Sequence, residues 1–317
     1  MIIIGAGMAG LLAANYFRKK NPVILEKQPS LPNNHGALLR FRSDKAFKVA
    51  GLQGRKVEVR KAVVFGSDFM VGPNPYLANM YSFKVTGQVS DRSIWNLDTV
   101  TRYIAQDDFI AKLAEGCQIN FDYDINFGND EKPFVWGKSE PIISTIPMPA
   151  LMHQLKWQNC HVIKSMPTFE SRSIWTITAH IPWVDVNQTI YFPEMDVPYY
   201  RASFVGPQFI IELIRDPGDE VLNIFEEVID YFGVSAKMSV IDMSAKKQSL
   251  GKILPIDDSI RKEFMHWATE KFNIYSLGRF ATWRQILLDD VVDDLQVIER
   301  MMTSKYTSSL IKSSKVE

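Results

Sequence analysis

The sequence predicts an α/β protein in which a parallel sheet with flanking helices is joined to an α+β part built on an antiparallel sheet. Three observations support this fold class. A strand–turn–helix–strand unit fills residues 1–26, helix and strand patterns alternate along most of the chain, and strand-like runs separated by Pro and Gly occupy residues 175–213. The 317 residues are enough for two domains or one large α/β unit.

The opening unit begins with three isoleucines, which predict a buried parallel strand. Gly5, Gly7 and Gly10 follow in G-x-G-x-x-G spacing, then a helical pattern, and then a second short apolar strand that ends at Glu26. In this order the glycines allow a tight turn, close approach of a pyrophosphate and close helix packing, while the acid can accept hydrogen bonds from ribose hydroxyls. A glycine-rich helix entry without a ligand is the alternative.

The acid that ends the second strand narrows the choice of nucleotide. A carboxylate at Glu26 disfavours a 2′-phosphate and therefore NADP, but it does not separate NAD from FAD.

The rest of the chain divides into further elements. The patterns predict a helix over 98–115, a short strand within 141–149 that runs into a turn, three antiparallel strands within 175–213, helices over 217–233 and 259–272, and a strand, turn and helix within 274–301.

Composition points to a soluble protein. Lys plus Arg equals Asp plus Glu at 36 each, so net charge favours neither nucleic acid nor membrane. Cys117 and Cys160 form no C-x-x-C motif, which disfavours a disulfide scaffold and favours a reducing compartment. No basic leader precedes the first apolar run and no later run is long enough to span a bilayer, so we expect a cytoplasmic protein.

Several kinds of chemistry are disfavoured by missing motifs. The sequence has no G-x-S-x-G elbow and no Walker lysine after the glycines. The histidines at 153, 161, 180 and 266 fit no metal-ligand spacing, so we expect no metal site.

Four later motifs, read together with the glycine turn, resemble a known family. They are ISTIP at 143–147, PYYR at 198–201, KILPID at 252–257, and GRFATW at 278–283 followed by Asp289 and Asp290. This set resembles the FAD flavoproteins related to amine oxidases, most of all the UDP-galactopyranose mutases. It is also similar to small phage-type flavoproteins, some of which are linked to thymine hypermodification in DNA; a phage-encoded member would act in the host cytoplasm.

The resemblance implies FAD as cofactor and a Rossmann-like FAD-binding domain formed by 1–74, 105–150 and 244–317, with a substrate domain formed by 75–104 and 151–243. It implies contacts to the pyrophosphate from the three glycines and to the ribose from Glu26. It places Thr145 and Pro147 where the chain re-enters the nucleotide domain, Gly278 and Arg279 near the pyrophosphate or ribityl chain, and the N-terminus of the helix after Leu288 at the flavin. The predicted cofactor-binding residues are Gly5, Gly7, Gly10, Glu26, Lys27, Arg40, Thr145, Pro147, Gly278, Arg279, Asp289, Asp290 and Val291.

The sequence departs from the family in three ways. His35-Gly36 stands where a Gly-Gly pair is usual, Leu254 replaces a tyrosine, and the middle of the chain is shorter than in the mutases. These departures bear on sugar-nucleotide chemistry rather than on the flavin.

Four residues are predicted to be catalytic. By resemblance, His35 and Lys252 would lie near the flavin, and Arg201 with Tyr200 would meet a substrate phosphate. For each charged residue the alternative is a structural role: a loop histidine in solvent, a solvated lysine at a strand end, and a surface arginine on a sheet.

A basic segment stands out in a chain of zero net charge. Residues 39–61 contain eight Lys or Arg with Phe41 and Phe47 between them, against Asp44 and Glu58. The segment either contacts DNA or a diphosphate, or it forms a solvated basic face.

The sequence therefore predicts an FAD-dependent oxidoreductase acting at a C–N or C–H bond of an amine-bearing, phosphate-containing substrate, which includes a modified thymine base in DNA. A redox-neutral sugar-nucleotide mutase and a non-catalytic flavin-binding protein are the alternatives. The expected partner is a small molecule or nucleotide, and the oligomeric state stays open.

Overall fold

The computed structural model describes residues 1–32, 39–72, 74–89, 93–127, 140–157, 167–235 and 240–313. In this part of the chain the strands are β1 (Ile2–Ile4), β2 (Val23–Leu25), β3 (Arg40–Phe41), β4 (Arg55–Phe65), β5 (Asp68–Met70), β6 (Val100–Ile104), β7 (Gln118–Asn120), β8 (Ile142–Ser144), β9 (Ser171–His180), β10 (Val186–Tyr191), β11 (Tyr199–Gly206), β12 (Gln208–Leu213), β13 (Ile241–Ile253) and β14 (Ile274–Ser276).

The α-helices of the same part are α1 (Met8–Tyr16), α2 (Lys45–Ala50), α3 (Pro75–Thr86), α4 (Phe109–Ala114), α5 (Met148–Gln154), α6 (Val221–Asp230), α7 (Asp258–Phe272) and α8 (Leu288–Ser313).

The first sheet is parallel and has the strand order β14-β8-β1-β2-β7. Its central strand is β1, where Ile3 is fully buried and pairs in register with Ile24 and Ile143. Helices α1, α4 and α8 cover one face, and α5 and α7 cover the other. Because both faces are covered, the four strands β14, β8, β1 and β2 are mainly apolar, whereas the edge strand β7 is polar.

The second sheet has the order β13-β9-β12-β11-β10-β4-β6-β3, with β5 added beside β4. Its pairs are antiparallel except for β4 and β10, which run parallel. Helix α6 packs on one face through an aromatic and aliphatic core. Helix α3 covers only part of the opposite face, and there β10, β11 and β12 carry buried polar side chains: Thr189, Ser203 and Glu212. We call this surface the polar face.

The fold class predicted from sequence is confirmed: a parallel sheet with helices and a separate, largely antiparallel sheet are both present. The opening strand–turn–helix–strand unit and the three strands predicted within 175–213 also appear, as β9, β10 and β12.

The predicted helix over 98–115 is wrong in its first half. Strand β6 pairs antiparallel with β3 and β4, and only the short α4 is helical. The segment VTRYI contains two β-branched residues at its start and one at its end, and cross-strand pairing decides such a segment against helical periodicity.

Sheet membership divides the chain differently from the predicted domain boundaries at four strands. Strands β3, β4, β5 and β13 lie in the second sheet, whereas the sequence-based division placed residues 1–74 and 244–317 with the nucleotide-binding part.

None of the helices in the described residues is long and apolar enough to cross a membrane.

A buried lysine lies between α3 and the second sheet. Lys84 is 3% exposed, and its Nζ donates hydrogen bonds to the carbonyl oxygens of Phe192 (3.0 Å) and Tyr199 (2.7 Å). Burial lowers the pKa of Lys84 from its ordinary value of 10.5 to about 7, although the nearby Glu194 and Asp196 act in the opposite direction.

This pKa predicts a pH dependence of stability. Between pH 7 and 10.5 the unfolded chain holds a proton on Lys84 that the folded chain lacks, so the free energy of unfolding rises with pH across this window. Urea titrations at a series of pH values from 6 to 10 give the free energy of unfolding at each pH. Plotted against pH, this free energy should rise more steeply in the wild type than in Lys84→Met, by up to about 1.4 kcal/mol per pH unit. The exposed Lys48→Met should retain the wild-type slope; equal slopes in Lys84→Met and wild type would contradict the prediction.

Candidate functional site

The glycine turn after β1 is packed against its neighbours on two sides. Gly5 has φ +94°, and a Cβ there would clash with Oγ1 of Thr145. At Gly10 a Cβ would overlap the carbonyl oxygen of Gly5. A Cβ at Gly7, by contrast, would meet nothing within 4 Å. The first and third glycines therefore serve packing, and the middle one leaves space open.

The acid at the end of β2 lies beside this turn. One oxygen of Glu26 accepts from the backbone N–H of Ala6 at 2.5 Å and the other accepts from that of Gln28 at 2.8 Å. The next residue, Lys27, is exposed and forms an ion pair with Asp124 at 2.9 Å. Glu26 is thus held at the turn, while the Lys27 ammonium is engaged with a surface carboxylate.

The segment after β8 closes the other side of the turn. Oγ1 of Thr145 donates to the carbonyl oxygen of Ile4 at 2.8 Å, and Pro147 occupies the N-cap position of α5. Farther along the chain, Gly278 has φ +91°, and a Cβ there would approach the Cβ of Ala9 to 2.8 Å. Three distant segments meet here, and the glycine backbone of two of them packs against the side chains of Thr145 and Ala9.

A cavity of about 640 Å³ opens above these contacts, between the carboxyl ends of the parallel strands and the edge strand β13. Six of the predicted cofactor-binding residues line it: Gly7, Arg40, Thr145, Gly278, Arg279 and Val291. Carboxyl ends of parallel strands are the usual ligand-binding edge of such sheets. Leu288, in the first turn of α8, also lines the cavity.

The two acids in the first turn of α8 contact protein rather than the cavity. Asp289 is 5% exposed and accepts from the backbone N–H of Arg42 (2.8 Å) and the hydroxyl of Ser43 (2.7 Å). Asp290 accepts from Arg42 Nη2 (3.0 Å) and from the backbone N–H of Leu287 (2.8 Å). These carboxylates fix the chain just after β3 against the start of α8.

Arg279 reaches across the cavity to the second sheet. Its Nη2 donates to the carbonyl oxygen of Gly251 at 2.9 Å. Its Nε is buried and has no hydrogen-bond partner among the described residues, and burial lowers its pKa. A buried guanidinium N–H without an acceptor is costly, so this group is suited to an acceptor supplied by a ligand.

Arg40 makes the second link between the cavity and the polar face. Its Nη1 donates to Thr189 Oγ1 at 2.8 Å and its Nη2 to Ser203 Oγ at 3.0 Å. Burial, and next the positive charge of Arg201, lower the pKa of Arg40 to about 10. Two guanidinium groups therefore lie close together at this end of the site.

The predicted pair Tyr200 and Arg201 meets an acid that the sequence analysis did not single out. Glu212 accepts from Tyr200 Oη at 2.9 Å and from Arg201 Nε. Although burial opposes ionisation, the charges of Arg201 and Lys252 lower the pKa of Glu212 to about 2. One charged residue in the otherwise apolar run FIIEL was the available signal.

Lys252 lies beside the same cluster. Its Nζ is 5.2 Å from the centre of the Tyr200 ring, and its neighbour Gly251 lines the cavity. The structure thus brings Lys252, Tyr200 and Arg201 together. The fourth predicted catalytic residue, His35, lies outside the described residues.

The basic segment 39–61 is distributed over several environments. Arg42 and Lys45 pair with acids of α8, Lys48 pairs with Asp44 in its own helix, and the buried Lys61 donates to the carbonyl oxygen of Asn96. The exposed cations of this segment on β4 are Arg55, Lys56 and Arg60. Contact with DNA through 39–61 stays a prediction.

No protein-family model matches the sequence, and no curated protein matches it. Solved structures match its fold across nearly the whole chain. A reduced UDP-galactopyranose mutase superposes with TM-score 0.64 at 14% identity over 95% of both chains. For a protoporphyrinogen oxidase, described as putative, from Exiguobacterium the TM-score is 0.58, at 12% identity over 96% of this chain and 98% of that one.

An oxidoreductase from Methanosarcina mazei has the same fold with TM-score 0.51, at 11% identity over 94% of this chain and 99% of that one. The chain shares the fold of these structures. FAD is the cofactor that the sequence predicts for this fold. At these identities the likeness concerns the fold, and the residues of the site must carry any argument about chemistry.

The residues of the cavity fit a dinucleotide of this kind. The open space at Gly7 admits a pyrophosphate to the backbone, and the carboxylate of Glu26 lies where a ribose would be bound. The buried Nε of Arg279 lacks an acceptor within the described residues. Each of these features is accounted for by a bound phosphate-containing nucleotide.

A substitution at the open glycine tests this assignment. Gly7→Val places a side chain into the cavity without a clash in the protein, so we expect normal folding and FAD binding weakened by at least about 100-fold, roughly 2.7 kcal/mol. Flavin fluorescence quenching measures the Kd, and circular dichroism checks the fold. Gly72→Val, where a Cβ also meets nothing within 4 Å, is the matched control. Equal FAD affinity in the two variants would contradict the assignment.

Proposed function

We propose that this protein is an FAD-dependent oxidoreductase acting at a C–N or C–H bond of an amine-bearing substrate that also carries phosphate. One observation carries the proposal. A single cavity has nucleotide-binding elements on the parallel-sheet side, including Gly7 and Arg279, and meets the cationic end of the polar face on the other, where Arg40 lies.

When bound, FAD supplies two-electron redox chemistry. The chain contributes the binding groups for it: backbone N–H groups of the glycine turn for the pyrophosphate, Glu26 for the ribose, and Arg279 for an acceptor on the ligand. The N-terminus of α8 reaches the cavity at Leu288. Its partial positive charge favours negative charge on whatever ring occupies this end.

The substrate side is positively charged. Arg40, Arg201 and Lys252 lie at the polar face, where the carboxylate of Glu212 accepts from Arg201 and interacts electrostatically with Lys252. Arginine binds phosphate in a two-point geometry that lysine does not reproduce. The excess of cations supports a substrate with an anionic group, and phosphorylated amines, including modified bases in nucleic acid, belong to this class.

A second candidate is a redox-neutral mutase acting on a sugar nucleotide. Arg201 in its PYYR context favours it, and the reduced UDP-galactopyranose mutase is among the structures that share this fold across 95% of both chains. Leu254 in place of the usual tyrosine and the short middle of the chain argue against it.

The deciding experiment begins with purified protein reconstituted with FAD. O-phosphoethanolamine and an aminomethyl-deoxyuridine monophosphate serve as probes, and peroxide release together with loss of oxidised flavin absorbance is measured. Turnover of either probe supports the oxidoreductase. Conversion of UDP-galactopyranose that requires prior reduction, without net electron transfer, supports the mutase. Failure to bind FAD at all would remove both candidates.

Lys252 offers a test that needs no substrate. A cation close to the flavin stabilises its reduced, anionic form, so Lys252→Met should lower the flavin midpoint potential by about 30 mV, which is about 1.4 kcal/mol for a two-electron couple. Reductive titration against a reference dye measures this shift.

Lys247→Met is the matched control for that titration. Lys247 lies on the same strand, with its Nζ 5.2 Å from the Trp175 ring, the same separation as between Lys252 and Tyr200. If both variants shift the potential equally, Lys252 has no special position near the flavin.

A further inference from the structure

A row of side chains crosses the polar face in register. Tyr191 pairs with Arg201, Arg201 with Glu212, and Glu212 with Thr176. Glu212 is 8% exposed. A buried carboxylate is retained only where it is paired and hydrogen-bonded, so its partners indicate its role.

A β-bulge brings both partners of Glu212 to the same face. Strands β11 and β12 change register between Tyr199 and Arg201, and the two consecutive residues Tyr200 and Arg201 both reach Glu212. In a regular strand, neighbouring side chains point to opposite faces. Bulges that redirect a side chain are common next to functional sites.

The carboxylate divides its two oxygens between the two partners. Oε1 accepts from Tyr200 Oη and Oε2 from Arg201 Nε. Within the described residues no hydrogen bond engages Nη1 or Nη2 of Arg201, and this side chain is 29% exposed. The contact through Nε therefore fixes the guanidinium plane and leaves its two terminal nitrogens without an acceptor among the described residues.

Positive charge lies close to this guanidinium. Both Arg201 and Lys252 act on the carboxylate of Glu212, and Arg201 acts on Arg40. Among these four side chains, one carboxylate stands against three cations. A ligand group with paired oxygens would complement both the charge and the two-donor geometry.

We propose that Glu212 is a positioning residue that presents Nη1 and Nη2 of Arg201 to a phosphate group of the substrate. The inference rests on the proposed function for the location of the substrate, and it assigns one part of that substrate to one guanidinium. Tyr200 holds the second oxygen of the carboxylate, so that both oxygens of Glu212 are engaged within the protein.

The test measures binding of inorganic phosphate to the FAD-loaded protein by isothermal titration calorimetry. Glu212→Gln keeps the shape of the side chain but removes the charge-assisted contact to Arg201, and we expect the Kd for phosphate to rise about tenfold. Arg201→Gln should abolish this binding event. Thermal unfolding of each variant is recorded in parallel, because a purely structural role would change stability and leave the Kd unaltered.

The opposite face of the sheet supplies a matched control. Glu227 accepts from Tyr199 Oη at 2.6 Å, so Glu227→Gln weakens a similar tyrosine–glutamate contact away from the site. Its Kd for phosphate should equal that of the wild type. The proposal is overturned if the Kd of Glu212→Gln for phosphate lies within twofold of the Kd of Glu227→Gln.

If Glu212→Gln does not fold, Glu212→Asp retains the charge but is one methylene too short to hold both partners. It should also raise the Kd, and a wild-type Kd in this variant overturns the proposal. Should FAD fail to bind, the same titrations on FAD-free protein still report on this inference. If phosphate binding to the FAD-free protein is lost in Arg201→Gln, the phosphate binds at Arg201 and not at the glycine turn. A loss of FAD binding counts against the proposed function alone.

Discussion

The close approach of three backbone segments at the glycine turn is the constraint on which the rest of the structure depends. Gly5 packs against Thr145, Gly10 against the carbonyl of Gly5, and Gly278 against Ala9. These contacts leave no room for a side chain at Gly5, Gly10 or Gly278. Parallel pairing places the carboxyl ends of β1, β8 and β14 at the same edge. The cavity lies at this edge because the chain is tightly packed at Gly5 and Gly10, while the space beside Gly7 is open.

The second sheet contributes charge to that cavity rather than backbone. Burial of Glu212 and partial burial of Arg40 and Arg201 cost desolvation free energy, which well-packed apolar residues at the same positions would avoid. The hydrogen bonds from Arg40 to two hydroxyls and from Arg201 to Glu212 offset part of this cost. A cluster of partly buried cations on one face is better explained by a ligand than by stability.

Local sequence patterns correctly predicted those elements whose residue pattern is complete within a short stretch of the chain. The glycine spacing with Glu26 led to the nucleotide-binding unit, and the alternating runs led to β9, β10 and β12. The helix predicted over 98–115 was half wrong, because pairing of β6 with β3 and β4 depends on residues far away in the chain. Strand β4 was overlooked within the basic segment, although Val57 and Val59 alternate with charged residues there.

By itself the sequence determined the fold class, the nucleotide-binding turn and the acid beside it, because each depends on residues close together in the chain. Only the tertiary structure decided what the charged residues do. It paired Asp289 with the segment after β3 rather than with the cavity, and it joined Arg201 to Glu212 across two strands. Charge pairing depends on distances between segments, and those distances are set by sheet register and by a bulge that no local pattern announces.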